Sequence, residues 1–312
     1  MIKACPQLEL VLFADDTNIF AQGKNCTDLF NLVNSELEEL SRWFRCNRLT
    51  LNLKKTEYMF FGGSRNQDIP QVTLEIGGET IKRVEGARFL GVWVDHELKW
   101  TEHINKVKTK VGQLLGVVGR VSSTLDGNSL RTLYNGIVLP HLQYCLIVWG
   151  DFVGGRNSTL ASSLLKYQKK FVGMISQIKG RYHSDPLFAK FGMLKIDDLY
   201  RQQLRMYAWK YWNGGLPKAP ASMFQRTTER HGHATRSAGS GIAIGTRDQG
   251  SIKYRLPKEW AVIPEDLRKC GSVTAFKNGS KRQLVEQYSM FECIEVGCIV
   301  CGDIAPVTSH RG

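Results

Sequence analysis

Apolar and polar positions first alternate at period two. In Leu8–Phe13, Leu8, Leu10 and Leu12 share one face and Val11 and Phe13 the other, which predicts a strand buried on both sides. Ile19, Phe20 and Ala21 resume the pattern on a returning strand, so Asp15 and Asp16 fall at the tip of a β-hairpin. The period then becomes helical. Leu29, Val33, Leu37, Leu40 and Phe44 mark an amphipathic helix over Thr27–Phe44, with Thr27 as cap and Asp28 suited to its positive end. Leu49, Leu51 and Leu53 alternate again, and Tyr58–Phe61 reads as a strand closed by Gly62 and Gly63. Val72, Leu74 and Ile76 alternate up to a Gly77-Gly78 turn, and the returning run reaches Val84. Ala87–Asp95 reads as one more strand, with Gly91 inside it marking a bend or a close backbone approach.

From Trp100 onward helices dominate. Trp100, Ile104, Val107, Val111, Leu114 and Val118 recur at spacings of three and four. Asn128–Val138 is a second helix, stopped by Pro140 and followed by the apolar run Leu142–Trp149. Leu160–Ile178 is a third, with Leu164, Phe171, Val172 and Ile175 inward, and Ile196–Trp212 a fourth, with Leu199, Leu204 and Tyr211 inward. Asn213–Gly250 is rich in Gly, Ser, Thr, Arg and His and reads as a linker or mobile loop. Tyr254–Tyr288 predicts a strand and a short helix ending at Leu284. The fold class is therefore α+β: β-hairpins with a packed helix over 1–98, a helical bundle over 99–213, a linker over 214–250 and a small C-terminal region over 251–312.

Composition adds a partner. With 42% hydrophobic and 10% aromatic residues in 312, the chain can bury a sizeable core. Its net charge is +13, and the excess is local: Lys166–Arg282 holds 23 Lys and Arg against 8 Asp and Glu. A polyanion such as nucleic acid explains that balance; simple solubility is the alternative. Lys106, Lys108, Lys110, Lys166, Lys169, Lys170, Arg201, Arg205 and Lys210 fall on outward helix faces that suit a phosphate backbone, or equally solvent. The start has no apolar h-region and no run reaches the length of a membrane span, so the expectation is an intracellular protein, nuclear or cytoplasmic, without a membrane partner. Its eight cysteines then read as reduced thiols.

Candidate chemistry gathers at a few positions. Adjacent Asp15 and Asp16 repel each other, and Mg²⁺ is a natural partner for two such carboxylates, although Asp-Asp also suits an ordinary turn. Lys54 and Lys55 precede a strand, where a lysine can neutralise phosphate charge or give up a proton; a solvated surface lysine is the alternative, and the safer one for Lys54. Cys293, Cys298, Cys301 and His310 have zinc-like spacing, but one Cys-x2-Cys pair with a distant His fits a frayed tail better, so zinc is not expected.

Three segments in order resemble the reverse transcriptases of non-LTR retrotransposons of the LINE or jockey-like kind. Phe13-Ala-Asp-Asp16 is similar to the catalytic box of that family, and Asn52-Leu-Lys-Lys-Thr56 to the next box. Phe89-Leu-Gly-Val92, with Asp95, Leu98, Trp100, His103 and Ile104, resembles the primer-grip segment that leads into the thumb. Leu133, Tyr134, Leu139, Pro140, Tyr144 and Trp149 fit the thumb pattern, and Trp260–Pro264 is close to a further motif, with Ala261 in place of Asn.

The resemblance implies a partial polymerase palm over 1–98, a thumb-like domain over 99–213 and RNA-directed DNA polymerase chemistry by two metal ions, Mg²⁺ or Mn²⁺. It makes Asp15 a metal ligand with Asp16 beside it, Lys55 a proton donor to the leaving pyrophosphate, and Phe89, Leu90, Gly91 and Val92 the primer grip. The partners it implies are an RNA template and an RNA–DNA or DNA primer duplex. The family also needs a second palm aspartate and the fingers N-terminal to this hairpin, and only 14 residues precede Asp15. The expectation is thus a fragment that does not polymerise alone and takes a dNTP only when those parts are supplied. The other function classes are a non-catalytic module that holds RNA or RNA–DNA hybrid, and a transposon relic without function.

Overall fold

The computed structural model describes residues 5–62, 73–150, 158–178, 180, 182–227, 241–246, 248–289 and 300. Contacts divide the chain into two compact units, Met1–Leu98 and Lys99–Gly312. The architecture is α+β, with two-stranded sheets in the first unit and helices through the second.

The first unit opens with β1 (Glu9–Phe13) and β2 (Asp16–Phe20), paired antiparallel with Leu10 opposite Ile19 and Phe13 opposite Asp16. Helix α1 (Cys26–Cys46) follows. Its cap is Asn25 rather than Thr27: the Asn25 side chain accepts from Thr27 N at 2.8 Å and Asp28 N at 3.4 Å. Thr27 already lies in the first turn, where its own N–H is one of the donors that need a partner. The apolar stripe of α1 buries Phe30, Leu37, Leu40 and Phe44 against Leu8, Leu74, Ile76 and Ile81, with Ile19, Leu51, Leu53, Tyr58 and Phe60 packed around them.

β1 is not buried on both sides. Val11, Leu12, Phe13 and Phe20 are 39%, 52%, 58% and 46% exposed, because this is a two-stranded sheet whose base alone, Leu8 and Ile19, reaches the core. β3 (Glu57–Tyr58) runs parallel to a later strand, β4 (Glu75–Ile76) turns through Gly77 and Gly78 into β5 (Glu79–Thr80), and β6 (Lys82–Arg83) is the partner of β3. Gly77 and Gly78 have φ of 60° and 84°, as a two-residue hairpin turn requires. Gly63 and Val72 lie outside the described residues.

β7 (Gly86–Phe89) and β8 (Val92–Asp95) form a further hairpin. This corrects the expectation of one strand over Ala87–Asp95. Leu90 and Gly91 both take positive φ, 45° and 86°, which reverses the chain between them.

The second unit begins with α2 (Thr101–Val121), whose Ile104, Val107, Val111 and Val118 are buried. α3 (Gly127–Leu133), a π-helical turn over Tyr134–Val138 and α4 (Leu139–Gln143) follow without a break. Pro140 therefore does not stop the helical path. It sits in the first turn of α4, directly after the π-helical turn. α5 (Leu146–Trp149) and α6 (Ser158–Ser176) come next, and Leu164, Phe171 and Val172 of α6 are fully buried. Gln168 lies among them, donating Nε2 to Tyr134 Oη at 2.9 Å and to the Leu194 carbonyl at 3.1 Å. Burial pushes the Tyr134 hydroxyl up to about 12.

α7 (Ser184–Lys190), α8 (Ile196–Trp212) and α9 (Lys218–Ala221) lead into the stretch read as linker. Its described part is not free chain: Phe224, Ile242 and Ala243 are buried, and the Phe224 ring lies 5.5 Å from that of Tyr211. α10 (Ile252–Ala261), α11 (Glu265–Arg268) and α12 (Val273–Glu286) replace the expected strand and short helix. Leu256 and Trp260, four apart, are both buried, so the helical period prevails there. No helix among the described residues is long and apolar enough to cross a membrane.

Candidate functional site

The register of the first hairpin leaves only Ala14 and Asp15 between the paired residues Phe13 and Asp16. Ala14 has φ of 52°, at a turn position that glycine usually fills, while Asp15 closes the turn and Asp16 begins β2. Both aspartates are exposed. Asn18 spans the two strands, donating Nδ2 to the Val11 carbonyl at 3.3 Å. Two neighbouring carboxylates on such a turn can give Mg²⁺ the one or two protein ligands it accepts, with water and phosphate oxygens completing the octahedron. They cannot enclose a pair of ions. Among the described residues no group of three or more His, Cys, Asp or Glu side chains is placed to hold a metal ion.

Lys55 ends a 3₁₀ turn over Leu53–Lys55. Asn52 sets that turn through its carbonyl, which accepts from Lys55 N at 3.0 Å and from Thr56 Oγ1 at 3.1 Å. Leu53 and Tyr58 anchor the segment in the same core that takes Leu8 and Ile19 of the hairpin. The Asp15–Asp16 turn and Lys55 thus hang from one cluster of apolar side chains, and all three side chains are exposed.

Phe89 and Val92 are the last pair of their hairpin, with Leu90 and Gly91 as its loop. Val92 is buried and Leu90 is 36% exposed. The hairpin is pinned from below. The Trp93 indole crosses to the opposite strand, where a Cβ on Gly86 would lie 2.9 Å from its Nε1, so a larger residue there would have to displace the ring. Val84 N donates to the Tyr58 carbonyl at 2.9 Å, tying the approach to this hairpin to the Lys55 segment.

The predicted basic residues of the second unit separate into two groups. Lys106 and Lys110 on α2 and Lys166, Lys169 and Lys170 on α6 are exposed, and Lys108 is partly so. Lys106 pairs with Glu102 at 3.1 Å. Arg201 and Arg205 do not face outward as the helix pattern suggests. Both bind Glu259 of α10, Arg201 Nε at 2.7 Å and Arg205 Nε at 2.8 Å, and Arg205 is 1% exposed. Burial opposes the Arg201 charge, and the hydrogen bonds and charges of Glu259 and Asp198 outweigh it, so its pKa rises. These two arginines serve the interior. Cys293, Cys298, Cys301 and His310 lie outside the described residues.

The chain is similar over about half its length to retrotransposon proteins. It is 25% identical over 166 residues to the Retrovirus-related Pol polyprotein from type-1 retrotransposable element R1 of Nasonia vitripennis, covering 51% of this chain and 49% of that protein. It is 28% identical over 160 residues to the corresponding polyprotein of element R1 2 from the same species, covering 48% and 39%. Against the RNA-directed DNA polymerase from mobile element jockey of Drosophila melanogaster it is 23% identical over 145 residues, covering 45% and 15%. The matches thus span half or less of the length of these relatives, which are non-LTR retrotransposon polyproteins and RNA-directed DNA polymerases. No family model and no solved structure matches the chain.

Proposed function

We propose that this chain is a palm-and-thumb portion of an RNA-directed DNA polymerase of the non-LTR retrotransposon kind, and that alone it holds template–primer duplex without extending it. The observation that carries this reading is the Ala14–Asp15 turn. A non-glycine residue at φ of 52° persists only where its surroundings hold it, and here it presents two adjacent exposed carboxylates. The similarity to RNA-directed DNA polymerases supplies the reaction class.

In this reading Asp15 and Asp16 hold a divalent cation, Mg²⁺ or Mn²⁺. When bound, such an ion supplies Lewis-acid stabilisation of phosphate oxygens. Lys55, held by the Asn52 turn, neutralises phosphate charge and gives up a proton to the departing group. The Leu90–Gly91 loop, braced by Trp93, aligns the primer strand, a task of position rather than proton transfer. The exposed lysines of α2 and α6 meet the phosphate backbone of the duplex. Two-ion chemistry needs ligands from more than one element, and the hairpin offers one edge of them.

The test pairs two measurements on the purified chain. Anisotropy of a labelled RNA–DNA hybrid is expected to show salt-dependent binding, and primer extension with Mg²⁺ or Mn²⁺ to show none. Template-dependent extension that Asp15→Ala abolishes would overturn the claim that the chain only holds the duplex. Absence of hybrid binding at low salt would overturn the reading altogether and favour a relic.

A further inference from the structure

The segment Trp260–Pro264 takes no part in the polymerase chemistry proposed above, yet it helps to build a row of planar side chains. Trp260 is buried near the end of α10, and its ring lies 5.5 Å from that of Trp212, the last residue of α8, with the two planes 32° apart. The Arg268 guanidinium lies over the Trp260 ring at 5.2 Å. Carbonyls of the same segment hold it there, Ile263 accepting from Nε at 2.8 Å and Ala261 from Nη2 at 2.9 Å. At the other end the Arg226 guanidinium lies over the Trp212 ring at 4.6 Å, and its Nη2 donates to the Trp212 carbonyl at 2.9 Å. Arg268, Trp260, Trp212 and Arg226 thus follow one another in contact.

The two ends of the row differ. Arg268 is half-buried, whereas Arg226 is exposed. The backbone that carries Arg226 is braced: Arg226 makes a β-bridge with Ile242, Thr227 N donates to the Gly241 carbonyl at 3.0 Å, and Ala243 N donates to the Gln225 carbonyl at 2.8 Å. The row therefore ends at the surface in a guanidinium with an indole on one side of its plane and solvent on the other. Lys190, Lys195 and Lys258 also lie over aromatic rings, but an ammonium has no plane to offer. A guanidinium is planar and weakly hydrated, and unpaired nucleobases stack on such planes as they do on aromatic rings.

We infer that Arg226, backed by Trp212, is a stacking site for an unpaired nucleobase of a single-stranded segment that adjoins the duplex. The inference rests on the reading of this unit as duplex-holding. It adds a contact to bases, where the lysines of α2 and α6 meet phosphates.

The full chain is titrated against a labelled RNA–DNA hybrid with blunt ends, the same hybrid with an RNA overhang of about ten nucleotides, and a third whose overhang is abasic. The overhang is expected to tighten binding about fivefold or more over the blunt hybrid, and the abasic overhang to give no such gain. Arg226→Lys keeps the charge and loses the plane, so it should bind the blunt hybrid as the wild type does and lose the gain. A DNA overhang of the same sequence should gain as the RNA does, because the ring face is common to both. Equal binding of blunt and overhung hybrids by the wild type would overturn the site and leave the broader reading standing. A gain that survives in the abasic overhang would assign it to phosphates, and one confined to RNA to the 2′-hydroxyl; either overturns stacking. A gain that survives in Arg226→Lys would remove Arg226 from the site. No binding of any of these hybrids by the wild type would overturn both readings.

Discussion

Arg205, 1% exposed, donates its Nε to Glu259 Oε2 at 2.8 Å and so fixes α10 to α8 inside the second unit. The other oxygen of the same carboxylate takes Arg201 Nε at 2.7 Å, so one acid serves two guanidinium groups a helical turn apart. Arg201 reaches on to Asp198 at 3.1 Å, and Asp198 in turn accepts from the Tyr288 hydroxyl. Burial, together with the Asp198 charge, pushes the Tyr288 pKa well above the ordinary tyrosine value. Removing the shared acid leaves a buried guanidinium without a counter-charge. Glu259→Ala is therefore expected to cost about 3–5 kcal/mol. Urea unfolding followed by the fluorescence of Trp149 and Trp260, both in this core, reads the loss; a midpoint equal to the wild type would refute it.

Asp197, next to that network, has a pKa raised first by burial and then by the Asp198 charge. An acid whose folded pKa lies above its unfolded value stabilises the fold while protonated, and loses that contribution as pH rises through the folded value. Asp197→Asn keeps the neutral form at every pH. It should be more stable than the wild type at pH 7, with the difference vanishing below the ordinary carboxylate pKa, where Asp197 is protonated in both states. Melting temperatures of the two proteins from pH 3 to pH 8 test the sign.

Two glycines of the second unit should respond in opposite directions to alanine. Gly116 is inside α2 with no heavy atom within 4 Å of an added Cβ, so Gly116→Ala should stabilise by about 0.5–1 kcal/mol. Gly127 begins α3, and a Cβ there would lie 2.5 Å from the Ile175 carbonyl oxygen, which is backbone. Gly127→Ala should cost about 1–3 kcal/mol. Parallel denaturant titrations decide; equal shifts would contradict the packing argument.

The cap of α1 gives a matched pair in the first unit. Asn25→Ala removes the side-chain acceptor of two backbone N–H groups and should cost about 1 kcal/mol. Thr27→Ala removes no capping oxygen and should change stability by less than about 0.5 kcal/mol. Hydrogen exchange of the first-turn amides of α1 should quicken in the first variant and stay unchanged in the second.

How much of the fold is legible in the sequence depends on how local each feature is. The stripe Leu37, Leu40 and Phe44, the inner row Leu164, Phe171 and Val172, and the Gly77-Gly78 turn all follow from neighbours within a few residues, and the structure keeps them. Ala87–Asp95 reads in sequence as one strand with Gly91 inside, because nothing in Leu90 signals that it adopts positive φ. Pro140 reads in sequence as a stop, although proline suits the first turn of a helix as well as its end. The exposure of Leu12 and Phe13 could not be read, since alternation reports which faces a strand has and not how many are covered.

The sequence by itself determined the helices α1, α2, α6 and α8, the hairpin that carries Asp15 and Asp16, and the basic balance of the second half, because periodicity, turn chemistry and charge are properties of adjacent residues. Only the tertiary structure decided which cations are spent inside and which stay available. Arg201 and Arg205 look like the lysines of α6 in sequence, yet Glu259, more than fifty residues on, draws them into the interior. The role of these two charges is set by the partner that packing brings to them, and that partner lies far along the chain.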